Sequence, residues 1–367
     1  MLWDIFCRVI DNFGDIGVCC RLCADLATRG HSVRLWVDDT SALEWMAPGA
    51  LQGEWPRIQV RDWDLASSPE KLQTLLHADV WIESFGCEIP EPFVAHFANE
   101  SSARPPVWIN LEYLSAESYV ERSHALPSPI LRGPASGWTK YFFYPGFTAQ
   151  TGGLLREAGV GTQPSATLER AHFLEQHSVS PDADRVVSLF CYEPPLLKAV
   201  LDHFAQGPET TQLLVTQGRA SGAVQTLLGQ QTRLGQLQVS YLPLLTQPDF
   251  DVLLRSCDLN FVRGEDSVVR AIWAGKPFVW HIYPQDDGAD APKLEAFLEQ
   301  LQLGAPVRQL HRAWNCLLNG ADATNAVTAL RMKALKPWQD EVLAARDKLL
   351  KMDDLCTQLH QFVQKKR

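Results

Sequence analysis

The chain has 367 residues, a length that suits two domains, and its 46% apolar and 21% charged composition is that of an ordinary globular protein. A net charge of −10, from 33 basic and 43 acidic side chains, argues against a broad nucleic-acid footprint, because phosphate backbones are gripped by basic patches. No apolar stretch approaches the ~20 residues of a membrane helix and the start, MLWDIFCRVIDNFGD, has no basic leader, so a cytoplasmic protein with no membrane and no nucleic-acid partner is expected.

Residues 2–10 (LWDIFCRVI) read as a buried strand, 11–17 (DNFGDIG) as a loop and 18–30 (VCCRLCADLATRG) as a helix, with Val18, Leu22 and Leu26 four apart and Gly30 at its C-terminal cap. HSVRLWVDD is the next strand, completing a β-loop-α-β unit. Cys19, Cys20 and Cys23 crowd the helix, but no second pair follows at zinc-finger distance, so the nine cysteines read as buried thiols in a reducing compartment. HADVWIESFG (77–86) and PPVWINLEYLS (105–115) are further strands ending in polar residues, and in open parallel sheets ligands are met beyond such carboxyl ends. A glycine-rich polar stretch opens at TGGLLRE (151–157), and the linker is placed over 161–184.

A second series follows. RVVSLFCYE (185–193), TQLLVTQG, LQVSYLPLL, CDLNFV and FVWHIY read as strands; the last two enclose the loop RGEDS and the helix VVRAIWAG, which Gly275 ends and Pro277 forbids to continue. From about residue 290 the chain reads as mainly helical, with a break at Pro337. The expected fold class is α/β: a Rossmann-like domain over 1–160, a second over 185–344, the two facing each other across a cleft, and a last helix at about 345–367 packing back onto the first. Metal-independent nucleotide-sugar transferases share this architecture with some epimerases and dehydrogenases.

Two loops carry the candidate chemistry. A helix starting near Ser267 presents free backbone N–H groups and about half a positive charge, Ser267 adds a hydroxyl and Arg263 a counter-charge, so a diphosphate fits there. Asp266 can cap that helix while Glu265 faces a hydroxyl or a cation, and Tyr283 and Gln285 follow the next strand tip. The alternative is plain capping, with Arg263 and Glu265 paired on the surface. In the first loop Gly14 and Gly17 make only G-x-x-G, short of a dinucleotide fingerprint, although Asp38 lies at the distance of an NAD-binding acid. Asp11 and Asp15 form a carboxylate pair suited to a cation or a proton; the alternative is an N-cap at Asp15 with Asp11 solvated. Asp62-Trp63-Asp64 matches the D-x-D pattern that binds a metal in one transferase class but reads as a strand end, QDDGAD (285–290) offers carboxylates to a divalent cation but reads as a solvated loop, and Asn99-Glu100-Ser101 is a glycosylation sequon with no secretory route.

Taken together, DNFGDIGVCCRLCADLA, NLEYLSAE, YFFYPGFTAQTGGLLRE and DLNFVRGEDSVVRAIWAGKPFVWHIYPQ resemble the EarP family, the protein-arginine rhamnosyltransferases that modify translation elongation factor P. The resemblance implies a GT-B fold and an inverting, metal-independent glycosyltransferase needing no cofactor. Its donor substrate would be TDP-β-L-rhamnose, bound on the C-terminal domain, and its acceptor an arginine of elongation factor P, entering from the N-terminal side. It implies Asp15 as general base, Asp11 as a second essential acid and Glu265 as an essential glutamate. Arg263, Asp266 and Ser267 would contact the donor diphosphate, and Phe13, Gly17, Tyr192, Gln247, Phe250, Tyr283 and Gln285 would line the donor site. Around LPLLTQPDF the chain departs from the aromatic-richer family pattern. Two other readings stay open: a GT-B transferase with another acceptor, and a dinucleotide-binding oxidoreductase.

Overall fold

The computed structural model describes residues 1–10, 13–99, 104–160, 166–285 and 288–367. Asp11, part of the Asn99-Glu100-Ser101 sequence, the start of the expected linker and part of QDDGAD lie outside them. The chain divides into two compact units, Met1–Ala158 with Met352–Arg367, and Gly159–Lys351.

The first unit is built on β1 (Leu2–Cys7), β2 (Ser32–Val37), β3 (Ile58–Asp62), β4 (Val80–Ser84), β5 (Val107–Leu111), β6 (Pro127–Pro129) and β7 (Thr139–Phe143), in the order β3-β2-β1-β4-β5-β7-β6. Every pairing is parallel except that of β6 with β7, and Ile5 of β1 sits between Leu35 and Ile82. Both faces of the sheet are covered, which is why its strands are near-continuous apolar runs. One face packs the helix Gly14–Thr28 and the final helix Leu355–Lys366 through Ile16, Leu22, Leu26, Leu355, Leu359 and Val363. The other face is aromatic, with Phe6, Trp36, Trp81, Phe93 and Trp108 in one cluster.

Residues 151–155 are buried in this unit, so the glycine-rich stretch TGGLLRE packs as part of it. Gly153 stands at φ +71° where a Cβ would come within 2.5 Å of the Asp353 carbonyl, and Leu355 N–H donates to the Leu154 carbonyl at 2.9 Å. Only glycine lets these stretches of backbone approach so closely.

The second unit carries β8 (Arg185–Leu189), β9 (Thr211–Val215), β10 (Arg233–Leu234), β11 (Leu237–Tyr241), β12 (Leu259–Arg263) and β13 (Phe278–His281), in the order β10-β11-β9-β8-β12-β13. All pairings are parallel except β10 with β11. Residues 166–184, expected to be linker, belong to this unit instead. They include the helix Ala166–Gln176, whose Phe173 and Leu174 are buried with Val179, Val186, Leu214 and Leu253. Glu169 holds Arg255 at 2.8 and 2.5 Å and Arg170 holds Asp258 at 2.7 Å, pinning a helix too polar to betray its packing locally.

The helical break expected at Pro337 is also absent. Pro337 lies inside the continuous helix Met332–Leu349, close to its start, and Leu335, Trp338 and Val342 bury that helix on both sides of the proline. Near a helix start a proline forfeits at most one ladder bond, which burial offsets. Among the described residues, no helix is long and apolar enough to cross a membrane.

Among the parallel strands of each sheet the order reverses once, between β1 and β4 and between β8 and β12. Crevices outside the carboxyl ends at such reversals are where open α/β sheets receive ligands.

Candidate active site

At the reversal in the second unit, Arg263 ends β12 and Tyr192 follows β8. The Arg263 guanidinium lies 4.5 Å from the Phe190 ring centre and 4.7 Å from that of Tyr192, a cation held over aromatic faces. Arg219 stands 4.8 Å from the same Tyr192 ring and its Nε reaches both carboxylate oxygens of Glu193, at 2.8 and 3.0 Å. That pairing holds Glu193 below the usual carboxylate range. Tyr192 is buried; His281 and Tyr283 meet it edge-on at 5.1 and 5.6 Å. Burial, reinforced by Arg263, pushes His281 down to about 3, so this wall is a neutral imidazole. Phe250 packs edge-on against Phe190 at 5.4 Å, while Gln247 is buried at the first residue of the helix Gln247–Ser256, which Thr246 caps.

The helix after β12 begins earlier than its sequence suggests. It runs Gly264–Ala274, so Glu265, Asp266 and Ser267 form its first turn rather than a loop before it. Gly264, at φ +67°, swings the chain out of the strand, a bend that L side chains resist. Arg263 occupies the N-cap without a side-chain cap bond, so Asp266 is not the cap residue. Ser267 is buried and its hydroxyl donates back to the Arg263 carbonyl. Glu265 has a basic partner from a distant helix: its Oε1 takes the Lys293 ammonium at 2.5 Å. Gln285 is exposed beyond β13, and Tyr283 is 44% exposed although it touches Tyr192. The first N–H groups of a helix have no partner within it, and beside a stacked guanidinium such a helix start has the donors and the charge that suit an anion.

The first unit repeats the scheme with the opposite charge. Its helix starts at Gly14, so Asp15 lies in the first turn and not in a preceding loop. The cap position is Phe13, with no side-chain cap bond, which removes Asp15 as N-cap. Asp15 is buried, and its Oδ2 accepts the Ile10 N–H at 3.3 Å. Phe13 is exposed and meets Trp45 edge-on at 5.4 Å; Gly17 is buried, its N–H bonded to the Phe13 carbonyl at 3.0 Å. Asp38, the acid of the dinucleotide reading, accepts the Val9 N–H at 2.9 Å. Asp62 caps a short 3-10 helix through Asp64 N–H at 2.8 Å, a structural task. Eight of the nine cysteines are buried as free thiols, Cys316 being exposed.

The family model for the elongation-factor P rhamnosyltransferase EarP matches residues 3–364. The chain belongs to the EarP family. It is 46% identical to a protein-arginine rhamnosyltransferase of Pseudomonas putida over 85% of this chain and 86% of that protein. To one of Pseudomonas aeruginosa it is 40% identical over 98% of each. Among solved structures, one giving the structural basis for EarP-mediated arginine glycosylation of translation elongation factor EF-P is 32% identical, with TM-score 0.66 over 100% of this chain and 99% of that one. The spinosyn rhamnosyltransferase SpnG, 11% identical at TM-score 0.56 over 98% and 99% of the two chains, shares the fold alone.

This EarP-family chain is therefore a glycosyltransferase with the α/β GT-B fold. Four neighbours of Arg263, Tyr192 and Glu265 went unmarked in sequence: Phe190, Arg219, His281 and Lys293. Phe190 and His281 lie within strand-tip segments already singled out, FCYE and FVWHIY, so their place at carboxyl ends was the available signal. Arg219 and Lys293 carry no local signal, since each reaches the site from a different helix.

Proposed function

We propose that this enzyme transfers L-rhamnose from TDP-β-L-rhamnose to an arginine side chain of translation elongation factor P, with inversion at the anomeric carbon and no metal. The observation that carries the reading is the stacked Arg263 at the start of the Gly264–Ala274 helix, in a chain whose relatives are protein-arginine rhamnosyltransferases. The second unit takes the donor. Arg263 and the amides of Asp266 and Ser267 neutralise the diphosphate as it leaves, and Tyr192, Gln247, Phe250, Tyr283 and Gln285 line the nucleotide and sugar. The first unit takes the acceptor. Asp15 accepts the guanidinium proton, Asp11 grips the remaining nitrogens, and Phe13 and Gly17 are further donor-binding residues in this reading. Glu265, held by Lys293, is the acid of the donor loop that meets the reacting groups. An inverting displacement separates the base from the leaving group, and here the two tasks fall to different units.

Incubation with TDP-rhamnose and unmodified elongation factor P is expected to add one deoxyhexose to a single arginine, read by intact mass and peptide fragmentation. A modified molecule other than the factor would favour a GT-B enzyme with another acceptor, and reduction of NAD would favour the oxidoreductase reading.

Ser267→Ala removes the hydroxyl bonded to the Arg263 carbonyl, loosening the turn that aims the amides. An ordinary hydrogen bond contributes ~1 kcal/mol, so calorimetry with TDP is expected to show Kd about fivefold weaker. Unchanged affinity would show that the Ser267 hydroxyl does not support the donor site.

A further inference from the structure

Glu193 puts a negative charge where binding a diphosphate calls for positive ones. It follows the buried Tyr192 beyond β8, and Pro194 after it disfavours a helical turn there, so the carboxylate stays at the carboxyl end of the sheet. Arg219, first residue of the helix Arg219–Leu228 that follows β9, meets this carboxylate through Nε at 2.8 and 3.0 Å and through Nη2 as well. The guanidiniums of Arg219 and Arg263 lie 4.8 and 4.7 Å from the centre of one ring, that of Tyr192. Their charges are therefore closer together than the ~10 Å screening length of 0.1 M salt, and an acid bonded to one of them acts on the other. His281, which burial pushes down to about 3, feels all three groups: Arg263 and Arg219 lower it further and Glu193 opposes them. Glu193 is itself held below the usual carboxylate range by its bonds to Arg219, with Arg263 adding to the effect, so it is ionised at neutral pH.

Donor and spent nucleotide differ in charge at this point. In a nucleoside diphosphate sugar both phosphates are diesters with one charge each. Once the sugar has left, the terminal phosphate has a second ionisation at about pH 6 and carries close to one charge more at neutral pH. A fixed carboxylate beside the diphosphate opposes the product more than the donor. Resting on the donor role proposed above for the second unit, we infer that Glu193 is a specificity residue that favours the sugar-bearing nucleotide over the free nucleoside diphosphate, so that the product leaves. Without its charge, two guanidiniums against one ring would hold the more highly charged product harder and delay the next turnover.

Glu193→Gln keeps the shape and an acceptor for Arg219 while removing the charge. The side chain is about half exposed, so the variant is expected to melt with the parent. By calorimetry at low salt its Kd for TDP is expected to fall about threefold, the scale of one partly exposed charge pair, against about 1.5-fold for TDP-rhamnose. The inhibition constant of TDP as product is expected to drop with the Kd, and the gap between parent and variant to shrink in high salt. Arg219→Ala, which leaves the acid and removes its counter-charge, is expected to weaken TDP more than TDP-rhamnose. A folded Glu193→Gln variant with unchanged or weaker TDP binding would overturn the inference. Equal tightening of both nucleotides would overturn it too, since the discrimination would then lie elsewhere. A folded parent that binds neither nucleotide would instead remove the donor reading of the second unit.

Discussion

Asp15→Asn is expected to abolish transfer to the acceptor while leaving the affinity for TDP-rhamnose unchanged. The reason begins with the nucleophile. An arginine guanidinium has a pKa of roughly 13.8, so forming the free guanidine at neutral pH costs on the order of 9 kcal/mol at 1.36 kcal/mol per unit. A populated neutral guanidine is therefore a poor route, and proton loss has to accompany C–N bond formation. A carboxylate at the reacting nitrogen can take that proton; a carboxamide of the same shape cannot. Positioned general bases contribute about 10²–10⁴-fold, and that is the loss expected in kcat. Asparagine keeps an oxygen for the Ile10 N–H that Asp15 Oδ2 now accepts at 3.3 Å, so the turn into the Gly14–Thr28 helix is retained. Donor binding, measured by calorimetry, rests mainly on the second unit in this reading and stays largely as it was. Wild-type turnover in a folded Asp15→Asn variant would withdraw the base assignment from Asp15.

The same helix start shows what local pattern conveys and what it leaves out. The alternation of apolar runs with acid-and-glycine segments located both strand-to-helix junctions, and with them Asp15, Arg263 and Glu265. It placed both helix starts too late, because Gly14 and Gly264 read as loop residues when each is the hinge on which a helix opens. Acids in a first turn are favoured by the helix dipole, so Asp15, Glu265 and Asp266 are compatible with either reading until the backbone is seen. The helix Ala166–Gln176 was read as linker because its fixation lies in Glu169–Arg255 and Arg170–Asp258, partners more than eighty residues away. Short β6 and β10 pair only at sheet edges and have no periodicity to find. The surroundings of Arg263 were beyond reach for a related reason. Register alone brings residues 190, 192, 219 and 281 together at the carboxyl ends of three strands.

Arg263→Ala is expected to weaken TDP and TDP-rhamnose binding more than any other single change in the second unit. Arg263 combines three contributions that its neighbours divide among themselves. It supplies a permanent positive charge, it stands at the N-cap of the Gly264–Ala274 helix, and its plane is fixed over Phe190 and Tyr192 before any ligand arrives. A guanidinium already ordered by aromatic faces loses little freedom on meeting a diphosphate, so most of the charge-assisted bonding appears as affinity. Truncating such a partner costs at least ~2 kcal/mol, about thirtyfold in Kd. Arg219 does not replace it, because its guanidinium is engaged by Glu193. Lysine at the position restores charge without the plane, so Arg263→Lys is expected to recover only part of the loss and to show a steeper salt dependence than the parent. The fold is not at stake, since Phe190, Tyr192, His281 and Phe250 keep their mutual contacts when the guanidinium is removed. A folded Arg263→Ala protein with parental TDP affinity would show that the diphosphate is held elsewhere in the unit.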